Sequence, residues 1–204
     1  MALVGPTAEG GSASAPWPTE AVGKCLAPVA LPAVKLPTAE YRPSGKYPII
    51  DQGQAPIAGW TDNEEGVIAA QLPVIVFGDH TRTFKYVDFP FVRGADGTQV
   101  LKPRSDLHPR FFYYACKALD LSSRGYNRHF TLLKEKSIPV PSWQEQVRIA
   151  EVLEAVDEHG RLQAEQMEAT VRLFRVLLHR LMSGEIQPQG PTPESEPQLA
   201  TVAK

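Results

Sequence analysis

The sequence predicts an α+β chain in two parts: a head of short strands with few helices, then one long α-helix. Three observations carry that expectation. Short apolar runs bounded by Gly, Pro, Asp or Asn crowd the stretch from residue 47 to about 103. A proline-flanked capping sequence at residues 138–145 opens an uninterrupted run of helix formers. Within that run, apolar residues recur at alternating three- and four-residue spacing.

Residues 1–16 are small, polar and Gly/Ala/Ser/Pro-rich, the composition of a flexible leader, so structure should begin near Trp17. Strand signals follow at "YPIID", "LPVIVFG" and "FKYVDFPFV", and "RGADGTQV" carries a DG turn ahead of a β-leaning run, which predicts a hairpin. "HPRFFYYACKALDL" has helical length and spacing, with Phe112, Ala115, Cys116 and Leu119 on one face. The head is thus expected over residues 17–140.

The second part, residues 141–186, is sharply marked. Pro139 and Pro141 hold the chain extended, and Ser142 followed by Glu145 forms a capping box. Gly184 stands where a left-handed cap needs no Cβ. The 3–4 spacing runs through Ile149, Leu153, Val156, Gly160, Gln163, Met167, Thr170, Phe174, Leu177 and Leu181, a narrow seam interrupted near its middle. About forty residues at roughly 1.5 Å each make a rod of about 60 Å, too long to bury its stripe on one small domain. It needs a partner helix. The Pro/Gln/Glu/Ser-rich residues 187–204 are expected to be disordered.

An apolar content of 43% belongs to a foldable globular chain. The net charge of −2 conceals a segregation: residues 24–140 carry 15 Lys and Arg against 11 Asp and Glu, residues 142–186 carry 5 against 8. A mildly basic head is compatible with nucleic acid. Two cysteines with no CxxC or Cys/His cluster predict reduced thiols and no metal site. With neither a basic, apolar leader nor a membrane-length apolar run, a soluble, cytoplasmic protein is expected.

Catalytic motifs are scarce. "DFPF" at residues 88–91 superficially resembles the D-P-P-F motif of adenine-N6 methyltransferases, but Phe89 replaces its first proline and no Gly-rich cofactor loop accompanies it. No P-loop, G-x-S-x-G or common nuclease pattern occurs. "FGDHTR" puts Asp79 beside His80 in a loop after a strand, read here as a turn in which Asp79 bonds its own backbone, or as a DNA contact through His80, Thr81 and Arg82. "SRGYNRHF" is the stronger binding candidate: Arg124, Arg128 and His129 offer donors to phosphate, arginine can bridge guanine O6 and N7, and Asn127 can pair with adenine. Tyr126 and Phe130 would lock that loop. The plainer alternative is a solvated loop on an aromatic anchor. Lys85, Arg93, Lys102 and Arg104 could line the same face.

These stretches together resemble the specificity subunit of type I restriction–modification systems. "IPVPSWQEQVRIAEVL" resembles the family's proline-flanked E-Q-x-x-I-A start of its conserved helix, and "LMSGEI" that helix's exit; "FGDHTR", "GADGTQVL" and "GYNRHF" resemble one subclass of its target recognition domains. The resemblance implies a non-catalytic subunit that supplies the DNA address to a methyltransferase and an endonuclease/translocase. It brings no cofactor of its own, S-adenosylmethionine belonging to the methyltransferase. A complete subunit of that family has two recognition domains and two helices, and this chain has one of each. A homodimer whose helices pair as an antiparallel coiled coil through Ile149, Leu153, Val156, Met167, Phe174, Leu177 and Leu181 would restore the pair and read a symmetric, bipartite site. A rod of about 60 Å spans somewhat under two turns of duplex. Pairing with a different half, on an asymmetric site, is the alternative. A coiled-coil scaffold whose head binds protein is the rival from another class.

Overall fold

A computed structural model describes residues 17–95, 97–121 and 129–187. Ten strands and three α-helices follow one another: β1 (Thr19–Ala21), β2 (Leu26–Ala27), β3 (Tyr47–Ile50), β4 (Gly59–Thr61), β5 (Val67–Ile68), β6 (Val74–Gly78), β7 (Phe84–Val87), β8 (Phe91–Arg93), β9 (Thr98–Pro103), α1 (Pro109–Lys117), α2 (His129–Glu135), β10 (Ser137–Pro139) and α3 (Trp143–Met182). The α+β expectation with one long final helix holds. The chain divides into two compact units, the first ending at Glu154 and the second starting at Ala155.

The first unit is built on two four-stranded sheets. One has the order β2-β9-β6-β7 with antiparallel pairings. The other, β4-β3-β8-β5, is mixed, β3 and β8 running parallel. Strand β6 explains the arrangement. Its "VIVFG" is apolar throughout and buried throughout, as a strand covered on both faces must be. Ile75 and Phe77 enter the main core with Leu101, Phe111, Phe112, Leu133 and Ile138. Val74 and Val76, pointing the other way, join Ile50, Ile68, Val87, Phe91 and Val100 in a second core. Strand period 2 thus sends one run of residues into two cores. Cys25 and Cys116 are buried free thiols of the main core, and burial pushes the Cys25 thiol up to about 11.

The hairpin expected across "RGADGTQV" does not form. β8 belongs to the mixed sheet, while β9 pairs with β2 and β6. Gly97, at φ +71°, lies where the chain passes from one sheet to the other. The partner of each strand was decided by distant residues.

The capping box is half reciprocal. Ser142 N–H donates to Glu145 Oε2 at 2.9 Å, and the Ser142 hydroxyl also donates to that oxygen, at 2.7 Å, instead of accepting a helix N–H. These bonds hold the Glu145 carboxyl below the usual carboxylate range. Gln146 anchors the start of α3. Fully buried, it accepts from His108 N–H at 2.7 Å and donates through Nε2 to the carbonyls of Pro141 (2.9 Å) and Asp106 (3.2 Å). Arg110 adds a second tie, packed on the Tyr86 ring and bonded to Glu154 at 3.0 Å. β1 pairs with β10, and Val140 N–H donates to the Pro18 carbonyl.

In the second unit α3 continues helical through Gly160 to Met182 and ends as expected, with Gly184 at φ +76° and Ile186 N–H donating back to the Arg180 carbonyl. Of the proposed seam, Ile149 is already packed against the main core of the first unit. From Leu153 onward the seam is open to solvent: Val156 is 63%, Met167 69% and Phe174 64% exposed. No helix among the described residues is long and apolar enough to cross a membrane.

Candidate nucleic-acid interface

The turn joining β6 to β7, residues 78–83, is the best-built surface feature of the head. Gly78 N–H donates to Thr83 O at 2.9 Å and Arg82 N–H to Gly78 O at 2.8 Å, closing the loop on itself. Only glycine fits at position 78, because a Cβ there would fall 2.9 Å from the backbone carbonyl oxygen of Gln52. The same Gln52 holds the loop from outside. Its carbonyl accepts the Thr81 hydroxyl at 2.5 Å, and its Oε1 accepts His80 N–H at 3.3 Å.

Asp79 ties this turn to two more segments. Its N–H donates to Gly97 O at 2.7 Å. Its carboxylate accepts the N–H of Phe130 at 2.7 Å, and its carbonyl lies 2.7 Å from His129 Nδ1, which must carry the proton because a carbonyl can only accept. The expected turn, with Asp79 bonding its own backbone, is therefore replaced by a bond to residues some fifty positions away. A short polar side chain finds a distant N–H as readily as a near one, and sequence spacing cannot distinguish them. Phe130 packs on the main core, 6.5 Å from Phe77, as an anchor should.

The candidate residues sort into four groups. Thr81 is committed to the loop through its hydroxyl. Lys85 is nearly buried, its Nζ donating to Ala55 O at 2.6 Å and lying 3.7 Å from Asp51; desolvation lowers its pKa. His80 and Arg82 are exposed, and His129 is half-buried. Arg124, Tyr126, Asn127 and Arg128 lie outside the described residues.

The other basic residues expected on this face are engaged elsewhere. Lys102 donates to the carbonyls of Gln71 and Pro73, Arg93 to that of Pro32, and Arg104 is shared by Glu20 and Asp106. A groove beside the turn is bordered by Gln54, Arg82, Lys117 and Leu121, the last immediately ahead of residues 122–128. Gln52, Gln54 and Lys117 carried no sequence signal; they are recognisable only once the loops meet. Among the described residues no group of three or more His, Cys, Asp or Glu is placed to hold a metal ion.

This surface is polar, rigidly tied and supplied with donors, which suits hydrogen bonding to a nucleic acid better than chemistry on a substrate. Over residues 33–169 the sequence matches the family described as Type I restriction modification DNA specificity domain. The chain belongs to that family.

Two solved structures agree with the fold of this specificity domain and its helix. The S subunit of the Type-I restriction-modification system from M. genitalium superposes with a TM-score of 0.56 at 23% identity, over 82% of this chain and 46% of that one. A chain from a study of complex assembly and conformational transition of the type I R-M system gives 0.52 at 19% identity, over 84% and 47%. The chain spans about half the length of these structures. No curated protein matches the sequence.

Proposed function

We propose that this specificity-domain chain is a non-catalytic, half-length DNA-specificity subunit of a type I restriction–modification system. It works in the cytoplasm as a homodimer, reads a symmetric bipartite site in double-stranded DNA, and directs a methyltransferase and an endonuclease/translocase to it. S-adenosylmethionine is the methyltransferase's cofactor, and this chain needs none. The observation that carries the reading is the pairing of one specificity domain with a helix whose apolar seam stands open to solvent.

The charge along α3 supports an antiparallel dimer. Glu151, Glu154, Asp157 and Glu158 crowd its first half; Arg172, Arg175 and Arg180 crowd its last part. Parallel helices would stack like charges. An antiparallel register sets Leu153 against Leu177 and Val156 against Phe174, and runs the acidic first part of each helix along the basic last part of its partner. The same register sets Gln163 against Met167 and Gly160 against Thr170, so the interrupted part of the seam falls at the two-fold axis. Exposed apolar residues off the seam, Leu162, Leu173 and Val176, form a second stripe suited to the methyltransferase's helices.

The test is a methylome. The full chain is co-expressed with its methyltransferase in a host free of adenine methylation, and every modified adenine is mapped. A symmetric split motif is the expected result. An asymmetric motif would replace the homodimer with a pair of different halves. No modified motif would overturn the reading and leave a protein-binding scaffold.

A further inference from the structure

We infer that Arg82 is a specificity-determining residue that reads one guanine in each half-site, through O6 and N7 in the major groove. The inference rests on the DNA-reading function proposed above and goes beyond it by assigning a base and an atom pair to one side chain. The first observation is backbone conformation. Arg82 sits at φ +61°, the one non-glycine residue with positive φ among those described. An arginine there is uncommon, glycine being the residue that adopts this region freely. Nothing in the fold of the turn requires a side chain at this position, since its hydrogen bonds run from the backbone of Arg82 and from Thr81 and His80.

The second observation is what the guanidinium does. Arg42, Arg93, Arg104 and Arg110, the other arginines described in residues 17–140, each bond a carboxylate or a carbonyl. Arg82 alone of this set has no side-chain partner among the described residues, and it borders the groove with Gln54 and Lys117. A strained backbone retained under a side chain that does nothing for the fold marks a functional constraint.

Base reading accounts for both observations better than phosphate binding does. A phosphate contact needs only positive charge within reach, which a relaxed lysine supplies. A bidentate bond to guanine needs the guanidinium fork held in position and direction. The turn fixes the Cα from which that fork reaches, because Gln52 and Asp79 tie it through three hydrogen bonds.

The experiment compares the methylomes directed by wild type, Arg82→Ala, Arg82→Lys and Arg82→Gly in the full chain with its methyltransferase. It also measures the thermal melting of each purified chain. The expected result is that all three variants keep the motif except at one base pair per half-site, where the preference for guanine falls about ten- to a hundredfold. Arg82→Gly should melt no lower than wild type, its backbone strain being relieved. If Arg82→Lys keeps the wild-type motif while Arg82→Ala lowers methylation at every site, Arg82 binds phosphate and the inference is overturned. An unchanged motif in all three also overturns it. Should wild type itself direct no motif, the function proposed above fails with it, and the two failures are told apart by that lane alone.

Discussion

The backbone N–H of Phe130 donates to the carboxylate of Asp79 at 2.7 Å, joining the start of α2 to the turn between β6 and β7. Because Asp79 also bonds Gly97 and His129, one buried side chain and its peptide groups fix three segments at once. Asp79→Ala should cost about 1–3 kcal/mol, the penalty for leaving a buried donor without a partner. Asp79→Asn retains an acceptor oxygen and should cost clearly less. Urea unfolding of the two variants checks this; equal, near-zero losses would show that the bond holds nothing.

Gln146 gives a prediction at the other end of the unit. Gln146→Leu keeps the bulk but strips partners from His108 N–H and two carbonyls, and should destabilise by about 2–3 kcal/mol. Gln146→Glu presents a carboxylate to those carbonyls. Only the protonated acid can donate to them, so its folded-state pKa should rise above the unfolded value. Its deficit should narrow as pH falls through that raised value. Melting curves across pH decide this, and a deficit independent of pH would refute the proposed bonding.

The proposed dimer predicts a definite mutational pattern. Phe174→Asp should leave a folded monomer, seen as a halved mass in sedimentation equilibrium. Arg172→Glu, on the helix face opposite the seam, should leave the dimer mass unchanged. A wild-type monomer, or a dimer indifferent to Phe174→Asp, would rule out the seam.

Acid sensitivity should centre on Arg104. Its hydrogen bonds to Asp106 and Glu20 hold both carboxyls below their usual range. Groups with depressed folded-state values contribute stability that is present above their unfolded values, roughly pH 4, and is lost as the pH falls through the folded ones. Melting temperature should therefore decline below about pH 4 in wild type. In Arg104→Met the decline should be shallower; identical slopes would remove Arg104 from the account.

Much of the fold was legible because it is written locally. The run "VIVFG" reads as a strand, Ser142 and Glu145 announce α3, and Gly184 ends it, each signal lying within a few residues of its effect. The strand partners were not legible, since β9 joins β6 across twenty-odd positions instead of pairing with the adjacent β8. The site suffered from the same limit. Lys85 and Lys102 look like surface cations in sequence, yet each donates to carbonyls of a loop some thirty residues away. Arg82 offered no hint of a left-handed backbone, because that conformation is signalled by glycine and this residue is not one.

The antiparallel pairing of β1 with β10, Thr19 opposite Pro139 and Ala21 opposite Ser137, places the head's first strand against its last. A domain whose way in and way out lie side by side is a cassette. It can be lifted from one chain and set into another with two cuts made a strand's width apart, and the peptide on either side need not be rerouted. Exchange of heads on a common helix would then change which sequence is addressed while leaving the rest of the machinery as it was.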